Sequence, residues 1–254
     1  VSGYLTSLED KVAEGSDDTS VFVMQANGGI TSASEIVKRP VHTLHSGVAG
    51  GAIGGAFLAQ KSGHPKVITL DMGGTSTDMC IVEDGVPTVT SELFLEWEGT
   101  LGFSAVDVQS IGAGGGSIAW LDEVGALRVG PQSSGADPGP ACYAKGGTDP
   151  TVTDANVVLG YISPKTFLGG KGNLDTSLSH DAVTRIAQKA GIETHDMAIG
   201  ISKIVNANML NGLRQVSVEK GYDPRDFALV CCGGAGPLHA ASLMQTLGIP
   251  KTLI

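Results

Sequence analysis

Short apolar runs alternate along the chain with segments whose apolar residues recur at helical spacing. Residues 67–70 (VITL) predict a buried strand, and "CIVEDGVPTV" (80–89) predicts a hairpin, because Asp84-Gly85 joins two β-prone arms. Residues 181–192 and 197–220 predict helices. The last segment, "FALVCCGGAGPLHAASLMQTLG" followed by "KTLI", predicts a strand, a glycine turn, a helix and a final strand. The pattern therefore predicts an α/β fold with glycine-rich turns at strand ends, where open α/β sheets bind ligands.

The first 60 residues and the middle of the chain are less regular. A helix is predicted up to about Ala13, followed by a polar linker (14–20) and a short strand (21–25). Residues 46–60 carry small side chains at helical spacing and predict a helix packed closely against another element. A boundary between subdomains is expected near residues 62–66. Residues 111–164 consist mostly of turn-forming residues and predict a long functional loop.

Composition places the chain among globular proteins with an unusual share of glycine. Apolar residues make up 41% and charged residues 17% of the sequence, while 37 of the 254 residues are glycine. This share is about double the usual one. The glycines are clustered rather than periodic, as expected where the backbone turns sharply or approaches a ligand.

Charge and cysteine content exclude several classes of function. A net charge of −10 argues against nonspecific nucleic-acid binding, because few cations are available to neutralise a run of phosphates. The four cysteines form no CxxC pair, so reduced thiols in a cytoplasmic protein are expected. No apolar run reaches the roughly 18 residues of a membrane span. The chain starts on Val1 without a signal-like segment, and we expect it to be a piece of a longer protein.

The stretch "DMGGTSTD" (71–78) is the first candidate ligand site. Its two glycines allow backbone N–H groups to converge on an anion, and its three hydroxyls add donors. Its carboxylates would repel bare phosphate, but they fit a Mg²⁺ ion held between them and the phosphate oxygens. The alternative is a β-turn with exposed polar residues. The P-loop pattern is absent.

The stretch "CCGGAGPLHA" (231–240) is the second candidate. Three glycines precede a predicted helix with Pro237 in its first turn, and the N-terminal N–H groups of such a helix can bind an anion. The alternative is a packing turn between the strand and the helix.

Two glycine sites about 160 residues apart can face each other across a cleft, an arrangement similar to that of the actin-like ATPases, which hold a nucleotide between duplicated halves. The pair resembles the second phosphate motif and the adenosine motif of the actin-like ATPases. Four longer stretches narrow this resemblance to the hydantoinase A/5-oxoprolinase family: residues 71–85, 110–147, 150–162 and 232–240. Upstream, "MQANGGITSASEIVKRPVHTLHSGVAGG" is also similar, so the resemblance covers nearly the whole chain.

The resemblance implies a fold, a reaction and partners. The fold would be an actin-like ATPase (ribonuclease H-like) fold, with a mixed sheet flanked by helices, comprising one duplicated half and parts of the other. The function would be an ATP-dependent hydrolase subunit that opens a cyclic amide of the hydantoin or 5-oxoproline type. The alternatives are an acetone or acetophenone carboxylase subunit acting on a ketone, a small-molecule kinase, and an ATPase switch without substrate chemistry. A hydantoinase B-like subunit or domain is the expected partner, and self-association stays open.

The resemblance also implies site residues and cofactors. ATP and Mg²⁺, with Mn²⁺ as an alternative, would be held by the two glycine sites. Asp71 and Asp78 would bind the metal and act in catalysis, and which of them orients the attacking oxygen stays open. The implied nucleotide-binding residues are Gly73, Gly74, Thr75, Ser76, Thr77, Gly233, Gly234 and Gly236.

Two departures from the family pattern affect this expectation. Val48 stands where the family has a proline in "SGPAGG". The family's first phosphate motif, of the "GGTFTD" type, does not precede Asp71, so we expect an upstream domain of the larger subunit to be missing from this sequence.

Several other residues are weaker candidates. The glycines 114–116 are either a phosphate-facing loop or a structural bend. Asp137 and Asp154 lie in turn-rich segments where aspartate commonly caps its own backbone, with a metal or substrate role as the alternative. His42 and His45 have metal-compatible spacing but no third ligand nearby in the sequence. His239 is either a buried neutral histidine or a nucleotide contact.

Overall fold

The computed structural model describes residues 1–15, 19–95, 99–170 and 172–254, so part of the predicted linker at 14–20 falls outside the described residues. The described helices are α1 (Ser2–Ala13), α2 (Ala33–Lys38), α3 (Ser46–Lys61), α4 (Val152–Val158), α5 (Thr176–Ala190), α6 (Thr194–Val216) and α7 (Gly236–Leu247). Single 3-10 turns occur at Pro40–Thr43, Ala141–Tyr143, Phe167–Gly170, Val218–Lys220 and Pro224–Asp226.

Most described strands outside one central sheet are short. They are β1 (Phe22–Met24), β2 (Ile30–Ser32), β3 (Val67–Met72), β4 (Thr77–Glu83), β5 (Val86–Pro87), β6 (Val89–Thr90), β7 (Leu93–Leu95), β8 (Gly99–Leu101), β9 (Ala105–Val106), β10 (Gln109–Ile111), β11 (Ser117–Leu121), β12 (Leu127–Ser133), β13 (Ala228–Cys232) and β14 (Thr252–Leu253).

The chain forms two units. The first unit comprises Val1–Val67 and Cys80–Val108, and the second comprises Ile68–Met79 and Gln109–Ile254. The chain returns to the first unit after Met79, so the two units are not divided by a single boundary along the sequence. The boundary expected near residues 62–66 therefore stays a prediction.

The first unit is built from small side chains and short hairpins. Helix α3 buries Ala49, Ala52, Ala56 and Ala59 on one face, so the helix predicted from its small residues is confirmed. Ala49 and Ala52 pack with Val106 of β9. The predicted hairpin is also confirmed: β4 pairs antiparallel with β5, and Asp84 and Gly85 adopt φ values of 51° and 77°. Positive φ at both positions is what a two-residue I′ turn requires.

The main sheet has the strand order β10-β4-β3-β13-β14, and all of it except Val67 of β3 and the part of β4 from Cys80 onward belongs to the second unit. Strands β10 and β4 pair antiparallel, whereas β13 and β14 pair parallel, so the sheet is mixed. Helix α6 packs on β10, and α7 packs on β13 and on α6. The predicted α/β fold, with a mixed sheet flanked by helices, is confirmed. The buried side chains include Ile68, Leu70 and Met72 of β3, Leu229 of β13, Ile201, Met209 and Leu213 of α6, and Leu243 of α7.

Local signals account for most helix ends in this unit. Helix α5 begins at the Asp175 cap, whose carboxylate accepts from two backbone N–H groups, and ends at Gly191 in the left-handed conformation. The helix predicted at 197–220 is α6, and its last predicted turn is a separate 3-10 turn that ends at Gly221. Ser217, at φ −111° and ψ −84°, separates the two.

The prediction of a long loop at residues 111–164 is wrong in part. This segment contains the β11–β12 hairpin and helix α4. The apolar residues of β11 and β12 are close in sequence to many glycines, so the composition of the segment predicted turns rather than strands. Among the described residues, no helix combines the length and apolar character needed to cross a lipid bilayer.

Candidate functional site

The turn between β3 and β4 (residues 73–76, here the β3–β4 turn) is the centre of the candidate site. Met72 before it and Thr77 after it are buried, whereas Gly73, Gly74 and Thr75 are exposed. Gly73 N–H donates to the Ser76 carbonyl at 3.1 Å and closes the turn. A Cβ atom built on Gly73 or Gly74 meets no atom of the described chain within 4 Å. Buried strands therefore hold a turn whose glycine faces are open to a ligand.

Residues 114–116 (here the triple-glycine loop) pack directly against this turn. Gly115 N–H donates to the Gly73 carbonyl at 2.9 Å, and Gly116 N–H donates to the Gly74 carbonyl at 2.6 Å. A Cβ on Gly114 would lie 2.6 Å from the backbone of Gly74, which is closer than real Cβ atoms approach. Only glycine permits this contact, so the triple-glycine loop is a packing partner of the β3–β4 turn.

This contact orients the amide groups of the turn. The peptide bonds that follow Gly73 and Gly74 are trans, and a trans peptide places its C=O and N–H on opposite sides. Since both carbonyls point to the triple-glycine loop, the N–H groups of Gly74 and Thr75 point away from it. Among the described residues, the N–H groups of Gly74, Thr75 and Ser76 donate to no backbone carbonyl. Successive N–H groups of this kind form an anion-binding concavity.

Residues 233–236 (here the second glycine turn) lie against the end of β3. Gly233 has a φ of 76°, and a Cβ there would lie 2.3 Å from the Met72 carbonyl oxygen and 2.5 Å from Asp71 Oδ1. Ala235 N–H donates to the same Met72 carbonyl at 3.1 Å. Gly236 begins α7 and packs on Leu70, whereas a Cβ on Gly234 meets no atom within 4 Å. The structure thus brings the two predicted glycine sites together at one strand end.

The two predicted metal-binding carboxylates occupy neighbouring strands. Asp71 lies in β3, is half-buried, and adjoins Cys232, where burial and the nearby Asp71 charge raise the pKa of the thiol to about 11. Asp78 lies in β4, also half-buried, opposite Ser110 of β10. In the ranges that the structure describes, no three His, Cys, Asp or Glu side chains gather in a metal-binding arrangement. A Mg²⁺ ion here would therefore depend on these carboxylates, phosphate oxygens and water, which is a common coordination for Mg²⁺.

The hydroxyl groups of the first motif divide into two sets. Thr77 is fully buried and its Oγ1 donates to the Ala113 carbonyl, so this hydroxyl holds the chain that leads into the triple-glycine loop. Thr75 is exposed and Ser76 is half-buried, so these two residues are at least partly accessible to a ligand. The assignment of all these residues to nucleotide binding stays a prediction.

Asp154 caps the backbone, as the sequence analysis expects of an aspartate in such a segment, but its complete burial was not predicted. It accepts hydrogen bonds from the backbone N–H groups of Ala141, Cys142 and Thr151, and from the hydroxyls of Thr151 and Ser179, at 2.7 to 3.1 Å. With Thr151 it forms a capping box at the start of α4. The spacing "TVTD" before an apolar run was the signal that could have identified it.

His239 lies in α7 and is 1% exposed. Its Nδ1 lies 2.7 Å from Asn206 Oδ1, while its Nε2 has no hydrogen-bond partner within the described part of the chain. Burial lowers the pKa of His239 to about 4, so the ring is neutral at pH 7.

The remaining candidates lie apart from these turns in the sequence. His42 contacts the Phe103 ring edge-on, with the ring centroids 5.4 Å apart, and His45 precedes α3 with a φ of 55°. Asp137 is exposed.

Comparison with known proteins gives consistent matches along the chain. The family profile described as Hydantoinase/oxoprolinase matches residues 1–254. The caprolactamase subunit alpha of Pseudomonas jessenii is 44% identical over 232 residues, covering 91% of this chain and 33% of the relative. The 5-oxoprolinase 1 of Arabidopsis thaliana is 32% identical over 273 residues, covering 100% of this chain and 21% of the relative.

Two solved structures share the fold. A nucleotide-free acetone carboxylase, described as carrying out ATP-dependent acetone carboxylation, superposes with a TM-score of 0.89 at 31% identity, over 98% of this chain and 35% of that one. The ATP-dependent caprolactamase from Pseudomonas jessenii superposes with a TM-score of 0.82 at 41% identity, over 97% of this chain and 36% of that one. The chain thus spans about a third of these two proteins.

Proposed function

Because the chain belongs to the hydantoinase/oxoprolinase family, we propose that it is the nucleotide-binding part of an ATP-dependent hydrolase that opens a cyclic amide. The observation that carries this proposal is the β3–β4 turn, where two trans peptides direct their N–H groups away from the triple-glycine loop. The relation to a caprolactamase described as ATP-dependent supports both the nucleotide and the class of substrate.

Each part of the site has a role in this proposal. The N–H groups of Gly74, Thr75 and Ser76 hold phosphate oxygens, and the Thr75 and Ser76 hydroxyls add donors on the same side. Asp71 and Asp78 hold Mg²⁺, with Mn²⁺ as the alternative ion, or orient the attacking oxygen. The open face of Gly234 and the start of α7 approach the adenosine and the α-phosphate.

ATP supplies the phosphoryl group that activates the amide oxygen. The bond between the γ-phosphorus and its bridging oxygen breaks, and a new bond forms to the carbonyl oxygen of the cyclic amide. Net, ATP, the amide and two water molecules give ADP, phosphate and the ring-opened amino acid. The protein contributes positioning and charge stabilisation, as is usual in phosphoryl transfer.

We expect the residues that bind the cyclic amide to belong to parts of the protein outside this chain. Since the chain spans only about a fifth to a third of its relatives, we expect an upstream domain to complete the nucleotide cleft and a hydantoinase B-like subunit or domain to take part in substrate binding. The subunit designation of the caprolactamase relative supports this arrangement.

The nucleotide site is tested by calorimetric titration of the complete subunit with Mg·ATP. Saturable binding is expected, and Asp71→Ala is expected to abolish it because the metal loses a carboxylate. Glu35→Ala serves as the control, since this exposed carboxylate forms a surface ion pair with Lys38. Unchanged binding in Asp71→Ala would remove Asp71 from the site, and no binding in the wild-type subunit would refute the nucleotide proposal.

An ATP-dependent carboxylase is the second candidate function, favoured by the TM-score of 0.89 to acetone carboxylase. The two reactions differ in their products. ATP turnover that depends on hydantoin, 5-oxoproline or caprolactam and yields an amino acid identifies the hydrolase. Turnover that depends on a ketone together with bicarbonate and yields a carboxylic acid identifies the carboxylase.

A further inference from the structure

Helix α4 is connected to the β3–β4 turn through a single glycine. The backbone N–H and the Oγ1 hydroxyl of Thr153 both donate to the Gly115 carbonyl, at 2.7 and 2.8 Å. Gly115 N–H in turn donates to the Gly73 carbonyl at 2.9 Å. Gly115 therefore connects Thr153 to the β3–β4 turn: its carbonyl accepts from Thr153, and its N–H donates to Gly73.

The triple-glycine loop owes its position to hydroxyl-bearing residues, because it has no side chains of its own. Gly114 N–H donates to Ser117 Oγ at 2.8 Å, and the Gly116 carbonyl accepts from the backbone and the hydroxyl of Ser134. Thr153 completes this set at the middle glycine. The middle position matters most for the Gly73 carbonyl, since Gly115 is its direct partner.

Thr153 is itself held in place by its neighbour Asp154. The Asp154 carboxylate is fully buried and ties the start of α4 to Cys142 and to Ser179 of α5. Thr153 is 7% exposed, so its hydroxyl has little access to competing water. The first turn of α4 is therefore a fixed platform against which the triple-glycine loop is positioned.

We propose that Thr153 is a positioning residue for nucleotide binding: its hydroxyl fixes the triple-glycine loop, which holds the Gly73 and Gly74 carbonyls and so directs the opposing N–H groups toward the phosphates. This inference rests on the proposed function. Thr153 touches no phosphate, because Gly115 lies between it and the turn. Its effect is on the geometry of the turn before the ligand arrives.

The test uses Thr153→Val, Thr153→Ala and Thr153→Ser in the complete subunit. Valine keeps the branched shape without the hydroxyl, and serine keeps the hydroxyl. The Mg·ATP dissociation constant is measured by calorimetry, and the midpoint of thermal unfolding is measured by circular dichroism. We expect Thr153→Val and Thr153→Ala to weaken binding about tenfold, as loss of one buried hydrogen bond can, and Thr153→Ser to stay within about twofold of wild type.

Thr184→Val is the matched control, because it removes a threonine hydroxyl of α5 whose hydrogen-bond contacts are with His180 and Thr194. If Thr153→Val does not fold, the comparison of serine with alanine decides the question. A lower unfolding midpoint with unchanged affinity overturns the proposal, because Thr153 is then only structural. Equal weakening by serine and alanine also overturns it. Absence of binding in the wild type refutes the proposed function, and this inference with it.

Discussion

Substituting alanine at two glycines of the site should have opposite consequences for folding and for binding. In Gly114→Ala the new Cβ lies 2.6 Å from the C, O and N atoms of the Gly74–Thr75 peptide, and backbone on both sides prevents an easy adjustment. In Gly74→Ala the new Cβ meets nothing within 4 Å, and the φ of Gly74 lies outside the left-handed region.

The size of the first effect follows from the contacts that must move. Relieving the overlap separates the triple-glycine loop from the β3–β4 turn and weakens two hydrogen bonds, from Gly115 to Gly73 and from Gly116 to Gly74. Overpacking costs about 1–3 kcal/mol, and each hydrogen bond about 1 kcal/mol. We expect Gly114→Ala to lose about 3 kcal/mol of unfolding free energy, or roughly 6–12 °C in a domain of this size.

Gly74→Ala should leave folding intact and reduce ligand binding. Replacing glycine by alanine at a compatible φ stabilises by about 0.4–1 kcal/mol through the unfolded chain, so its unfolding midpoint should equal or exceed that of the wild type. Its methyl group occupies the open side of the turn, where the phosphates are proposed to bind, and Mg·ATP affinity should fall at least about tenfold.

The assay measures thermal unfolding by circular dichroism and Mg·ATP binding by calorimetry for both variants. Gly54→Ala in α3 is the control, since its Cβ also meets nothing within 4 Å. A wild-type unfolding midpoint in Gly114→Ala would refute the tight contact between loop and turn. Wild-type ATP affinity in Gly74→Ala would refute the placement of phosphate on the open side.

Three further outcomes are expected. Burial lowers the pKa of His239 from 6.5 to about 4, so the imidazole is protonated at a higher pH in the unfolded chain than in the folded one, and the unfolding free energy falls by about 3 kcal/mol as the pH drops from about 6.5 to 4. In urea unfolding at several pH values, the unfolding free energy of His239→Gln should depend less on pH than that of the wild type, and an identical pH dependence would contradict this. Asp154→Asn should lower the unfolding free energy by roughly 3 kcal/mol in the same assay, because an amide NH₂ group then faces backbone N–H donors. An unfolding free energy equal to that of the wild type would contradict the hydrogen-bond network around Asp154. Cys232, with its thiol pKa raised to about 11 by burial and by Asp71, should react with iodoacetamide at pH 8 at least about tenfold more slowly than a free thiol; Asp71→Asn should accelerate the reaction, and an unchanged rate would contradict the contact.

Several features of the site were available from the sequence because they depend on neighbours along the chain. The apolar run before Asp71 predicted the buried strand, and Gly73-Gly74 predicted the turn that ends it. Asp84-Gly85 predicted a hairpin whose two residues have the positive φ values that such a turn requires. The glycines before Pro237 predicted a turn leading into a helix, which is α7. The spacing of apolar residues in strands and helices and the residue types of turns are local properties, so they can be recognised without knowledge of the fold.

The tertiary structure decided what these local pieces do for one another. The sequence left residues 114–116 as either a phosphate loop or a bend, and packing against Gly74 showed that they support the β3–β4 turn. The sequence predicted Thr77 only as a hydroxyl donor of the first motif, and the structure shows this hydroxyl donating to the Ala113 carbonyl, 36 residues away along the chain. Thr153 reaches Gly115 across 38 residues. Hydrogen bonds between residues so far apart in sequence produce no periodic pattern from which they could be predicted. Glycine and threonine make such contacts only after folding has brought the distant segments together through burial of the strands and helices between them.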